Sequence, residues 1–174
     1  MSNFDNNWRR KQEIKSRPFI NDIYRRVFGD AISIERFDHT ENYLLDKEFA
    51  IDVRVTHPNG LILTGQEKAL SYEYKSYESL TVEYMQNHQT QEKGDWFKMA
   101  VQFYFTGYLN KAVTGFDLWV IADWSKVVLG TASGRIQWYE NSNTKSQARA
   151  SFKYCNMAKL PGDCIISSSW EDEF

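Results

Sequence analysis

Asp52 is followed fourteen positions later by the triplet Gln66-Glu67-Lys68, and a Pro58-Asn59-Gly60 turn signal lies between them. A carboxylate, an amide carbonyl and an ammonium group gathered on neighbouring strands offer two hard oxygen donors beside a positive charge. Such oxygens suit a hard divalent cation, and such a charge suits an anionic substrate. The same three groups also describe an ordinary solvated sheet face, where a cross-strand ion pair contributes only about 0.2–1 kcal/mol. Other chemistries find little support. His39, His57 and His88 are scattered, with no HExxH or Ser-His-Asp arrangement, and no GxxxxGK[ST] or GxGxxG loop occurs. Cys155 and Cys164 have no nearby histidine to complete a zinc site and read as reduced, structural thiols.

Whether those side chains meet depends on the strands that carry them. Phe49 to Thr56 alternates, with Ile51, Val53 and Val55 on one face and Asp52 and Arg54 on the other, and Leu61–Leu70 is the partner strand. Pro58 fixes φ for a type I turn and Gly60 takes the left-handed position, so a three-residue loop pairs His57 with Leu61. Counting back along both strands sets Asp52 opposite Gln66 and Arg54 opposite Thr64, with Lys68 on the face of Gln66 and Glu67 pointing away. A two-residue loop at Asn59-Gly60 instead pairs Asp52 with Glu67, giving a two-carboxylate site without Lys68.

Around this hairpin, Pro18 to Phe28 has the spacing of an amphipathic helix stopped by Gly29, and Ala31 to Arg36 alternates as a strand. A strand at Ser79 to Tyr84 follows a tyrosine-rich connection. Trp96 to Tyr108 reads as mostly helix after a Gly94-Asp95 start, and Phe116 to Ala122 as a buried strand. Beyond Trp124 come a short helix near Ser125–Leu129 and strands near Ile136–Tyr139 and Ala150–Tyr154. The sum is an α/β or α+β sandwich in a single domain, 1–174, with its core at 18–122, a C-terminal extension at 123–168 and an acidic tail at 169–174.

Asp52 and the Gln66-x-Lys68 triplet on paired strands, with a helix before them and a helix and strand after, resemble the PD-(D/E)XK superfamily, the restriction-endonuclease-like nucleases. The stretches LLDKEFAIDVRV, TGQEKAL, SLTVEY and GDWFK look like a family of small proteins of phages and mobile elements within it. The resemblance covers roughly residues 18–122. It implies a mixed β-sheet core flanked by helices and metal-dependent cleavage of DNA phosphodiesters, with Asp52, Gln66 and Lys68 as the catalytic residues. Asp52 and the Gln66 carbonyl would hold Mg²⁺ or Mn²⁺, and Lys68 would orient the attacking water or offset charge on the phosphate. Ile51 stands where the family name has proline, and Gln66 stands where most members have an acid. A neutral ligand binds Mg²⁺ less strongly unless another carboxylate joins, and Asp46, Glu41, Glu13 and Glu83 are the candidates.

The 174 residues are 42% hydrophobic and 25% charged, enough for one real core, which argues against disorder. With 21 Lys and Arg against 23 Asp and Glu, the net charge of -2 excludes a globally basic nucleic-acid coat, so DNA must be met by a local patch. Arg9, Arg10 and Lys11 could track a phosphate backbone. Tyr72 and Tyr74, with Tyr77 and Lys75, could stack on unpaired bases. Lys98 and Gln102, one helical turn apart, form a polar stripe that could face the substrate. The expected partner is DNA, with a homodimer or a host protein as further options. No membrane partner is expected, because no apolar run reaches the ~18 residues of a spanning helix. The N-terminal stretch has no export-signal core, so a cytoplasmic setting is expected. A competing reading from a different class is a phage binding or inhibitor protein that keeps the nuclease fold without its catalysis.

Overall fold

The computed structural model describes residues 3–37, 43–142 and 150–170. It is a mixed α and β structure with two sheets and few helices. A long helix α1 (Asn3–Phe28) leads into β1 (Ser33–Arg36), a short helix α2 (Tyr43–Phe49), and the hairpin β2 (Val53–Thr56) and β3 (Ile62–Leu70). There follow β4 (Ser79–Asn87), β5 (Glu92–Lys93), β6 (Phe103–Leu109), β7 (Phe116–Asp123), α3 (Trp124–Ala132), β8 (Tyr139–Ser142), β9 (Ser151–Asn156) and β10 (Ile165–Ser168). Six strands form the main sheet in the order β1-β2-β3-β6-β7-β10, and four form a second sheet in the order β5-β4-β9-β8.

Alternation along the central strands explains the layering. Val53, Val55, Phe103, Phe105 and Ile121 share one face of the main sheet and pack on Ile20, Ile23 and Tyr24 of α1. The Tyr24 ring meets Phe103 and Phe105 edge-on, at 5.4 and 5.9 Å between centroids. The opposite face presents Tyr104, Tyr108, Val120 and Ala122 to Leu80 and Val82 of the second sheet. Each tyrosine keeps its hydroxyl satisfied there, Tyr104 donating to the Thr81 carbonyl at 2.6 Å and Tyr108 to the Ser79 carbonyl at 2.9 Å. The result is a helix, a six-stranded sheet and a four-stranded sheet in three layers.

Several sequence expectations hold. The loop is the three-residue one, since the His57 N–H donates to the Leu61 carbonyl at 2.8 Å and Gly60 takes φ +85°. Arg54 pairs with Thr64 in the antiparallel ladder, which excludes the two-residue alternative. Gly29 ends α1 with φ +106°, its N–H bonded to the Arg25 carbonyl at 2.9 Å.

Others are corrected. The stretch Trp96 to Tyr108 is not a helix: a 3-10 turn at Asp95–Phe97 is followed by β6, all seven of whose residues are buried. Sandwiched on both faces, a central strand reads as a continuous apolar run and loses the alternation that marks a half-exposed one. Lys98 and Gln102 are therefore not helical neighbours. Residues Tyr43–Phe49 form α2, so the expected strand shrinks to β2. α1 starts well before Pro18, which sits inside it and withholds one helical N–H. The parallel pairing of β3 with β6 demands a crossover, and residues 71–102 supply it through 3-10 turns, β4 and β5, without the expected helix. The stretch expected as a C-terminal extension completes both sheets, since β9 pairs with β4 and β10 with β7. Among the described residues, no helix is long and apolar enough to cross a membrane.

Candidate metal and phosphate cleft

At the N-terminal end of β2 the main sheet opens. The ladder between β2 and β3 stops at Val53 and Gly65, leaving Asp52 just outside it. Three hydrogen bonds hold that residue: its N–H donates to the Gly65 carbonyl at 2.9 Å, its carbonyl accepts from the Phe37 N–H at 3.0 Å, and its Oδ2 accepts from the Glu67 N–H at 2.9 Å. Burial pushes the Asp52 carboxyl well above the usual range, and the charges of Asp46, Glu67 and Asp95 push the same way, against the Glu67 amide. Asp52 is thus buried and crowded by other carboxylates.

Asp52 lines a cleft of about 260 Å³ together with Gln66, Lys68, Asp46 of α2, and Glu13 and Arg17 of α1. Gln66 is only 8% exposed, and among the described residues its side-chain oxygen Oε1 has no hydrogen-bond partner. Lys68 extends beneath the second sheet, its Nζ 5.9 Å from the centroid of Phe152. A second hollow of about 220 Å³, beside Arg26 and Trp119 at the far end of α1, has no acidic side chain in its wall.

Of the candidates for an additional carboxylate, Asp46 and Glu13 share the cleft with Asp52. Glu83 stands on β4 of the other sheet, where burial and the Asp95 charge raise its carboxyl and Lys68 lowers it. Glu41 lies outside the described residues. Among the described residues, no three His, Cys, Asp or Glu side chains are grouped to hold a metal ion. Asp52 and Gln66 line one cleft and are the residues that could hold a divalent cation there, with water or phosphate completing its shell.

Among the described residues, the candidate nucleic-acid contacts do not line this cleft. Gln102 is tied to β3, its Oε1 accepting from the Thr64 N–H at 2.7 Å and its N–H donating to the Thr64 carbonyl at 2.9 Å. The Lys98 ammonium donates to the Lys47 carbonyl and pairs with Asp95 at 3.3 Å. These two do not form a stripe. Tyr72, Tyr74 and Tyr77 are exposed on the 3-10 helix Tyr72–Tyr77, with the last two rings stacked at 6.4 Å. Lys75 between them is paired with Asp117 at 2.9 Å. Lys11 is exposed on α1, while the side chains of Arg9 and Arg10 lie outside the described residues.

Sequence reasoning missed Arg36 and Asp95. Glu67 points to the α1 side, as the register requires, and there Arg36 grips it with two hydrogen bonds of 2.8 and 2.9 Å. The signal was the alternation itself, which sets Glu67 and Arg36 on one face once β1 pairs with β2. No protein-family model matches this chain, and no curated protein or solved structure is significantly similar to it.

Proposed function

We propose that the protein is a nuclease-like protein that cleaves DNA phosphodiesters with the help of Mg²⁺ or Mn²⁺, of the kind carried by phages and mobile elements. The observation that carries this reading is the Gln66 carboxamide. Gln66 lines the cleft that also holds Asp52, its buried oxygen lacks a donor among the described residues, and leaving such an atom unsatisfied costs about 1–3 kcal/mol. A cation or one of its waters supplies the missing partner. The parallel strand beside a three-stranded antiparallel meander, with Asp52 at the opening of the sheet, supports a restriction-endonuclease-like core.

When bound, a divalent cation polarises a phosphoryl oxygen and lowers the pKa of a bound water. The chain's own groups provide the setting. Asp52 supplies a charged oxygen whose direction is set by the Glu67 N–H, and Gln66 a neutral one. Lys68 shares the Gln66 face and offsets negative charge that builds on the phosphate. The nearby Arg17 adds a second positive group to the wall.

The test is cleavage of plasmid DNA at about millimolar Mg²⁺ or Mn²⁺, a range suited to a site with few charged ligands. Lys68→Ala should lower the rate by orders of magnitude while leaving the melting temperature nearly unchanged. Equal cleavage by Lys68→Ala would exclude its assigned role. No cleavage by the wild type would favour the binding-protein reading, for which the exposed, stacked Tyr74 and Tyr77 offer a contact surface.

A further inference from the structure

Arg36 and Glu67 line the same cleft as Asp52. Their side chains are only 12% and 11% exposed, and the contact is bidentate, Nε to Oε2 at 2.8 Å and Nη2 to Oε1 at 2.9 Å. Two parallel N–H···O bonds fix orientation as well as adding energy. A pair this buried is weak grounds for stability, because desolvating both charges offsets most of their attraction. Its value lies in geometry.

Arg36 is the last residue of β1, and Glu67 lies midway along β3. The strand between them, β2, begins only at Val53, so the ion pair spans the gap where Asp52 sits. Both ends of the span also touch Asp52. Phe37, next after Arg36, donates its N–H to the Asp52 carbonyl at 3.0 Å, and the Glu67 N–H donates to Asp52 Oδ2 at 2.9 Å. Loosening the pair frees the end of a four-residue edge strand, and with it one of the two amides that aim Asp52.

We propose that Arg36 and Glu67 are positioning residues, a clamp that holds the backbone and carboxylate of Asp52 in the orientation a divalent cation requires. The proposal rests on the reading of Asp52 as a cation ligand. The clamp has a second effect, since a Glu67 carboxylate engaged by Arg36 does not compete for the cation from the opposite face.

Two measurements on the full chain test it. The first is Mn²⁺ binding by calorimetry, well below the melting temperature, for the wild type, Arg36→Met, Arg36→Lys and Glu67→Gln. Groups that orient metal ligands typically contribute 10- to 100-fold in affinity, so Arg36→Met should weaken binding about tenfold. Arg36→Lys should recover part of the loss, and Glu67→Gln, which keeps the shape and an acceptor for Arg36, should stay within about threefold of wild type. An ion pair that only stabilised the fold would lower the melting temperature of these variants and leave their Mn²⁺ affinity unchanged. That result, or loss of binding in Glu67→Gln with retention in Arg36→Met, would overturn the clamp. The second measurement is amide hydrogen exchange without metal. Arg36→Lys, which keeps the charge and serves if Arg36→Met does not fold, should speed exchange at Phe37 and Glu67 while Val55 keeps its protection. Unchanged exchange at both would overturn the clamp. If the wild type binds no Mn²⁺, the cation reading fails by itself, and the exchange result alone decides whether the clamp exists.

Discussion

Asp52 holds an ionisable group where water is scarce and three other carboxylates press on it, and this has a consequence for stability. Its folded-state carboxyl titrates above the unfolded one, chiefly through burial. The native state therefore retains a proton that the unfolded chain releases, so this group's contribution to stability falls as pH rises above the ordinary Asp value of about 3.9. Asp52→Asn should raise the melting temperature of the metal-free protein by a few degrees at pH 7, with the gain shrinking as pH approaches about 4. Melting curves across pH check this, and the same variant should show no stabilisation by Mn²⁺. Gln66→Glu should do the reverse, enlarging the Mn²⁺-induced rise in melting temperature by adding a charged oxygen, at a small cost to the metal-free protein. The three-residue loop and the register it sets between the two strands were legible in the sequence because Pro58 and Gly60 permit few loops, and each loop fixes a register. The Arg36 contact was not, because it depends on β1 joining the sheet on the far side of β2.

At the scale of elements, legibility followed solvent. The hairpin β2–β3 and the C-terminal half of α1 each expose one side, so their periodicities of two and 3.6 show in the residue pattern. β6 exposes neither side, and FYFTGYL carries no period from which strand could be told from buried helix. The strand at Ser79 was legible, as β4 bears out, but its place in the crossover was not, since a helix is the usual connector of parallel strands. Gly65 shows how tightly the site is built into this packing. A Cβ there would lie 2.3 Å from the Phe103 ring, which covers the glycine from the α1 side. Gly65→Ala must push that ring or the strand away and should cost about 1–3 kcal/mol or more. Because Gly65 also accepts the Asp52 N–H, chemical denaturation should show the stability loss, and Mn²⁺ binding should weaken with it.

For the whole molecule, the two sheets are closed by the last part of the chain. β9 lies between β4 and β8, and β10 covers the outer edge of β7. A chain ending at residue 122 would leave β4 with only the two-residue β5 beside it and remove Cys155, Met157, Leu160 and Cys164 from the core. Such a truncation should lack a cooperative thermal transition by calorimetry. Electrostatics at this scale allow a local footprint only, given the net charge of -2. Charge reversal at Arg9 and Arg10 should weaken DNA binding about equally for all sequences and flatten its salt dependence, which filter binding across salt concentrations would read. Whether Asp52 and Gln66 form a divalent-cation site is decided by anomalous diffraction from crystals grown with Mn²⁺. A cation site there gives a peak within coordination distance of the Asp52 carboxylate and the Gln66 Oε1, absent in Asp52→Asn crystals. An empty cleft at saturating Mn²⁺, with Gln66 Oε1 satisfied by a protein donor, would contradict it.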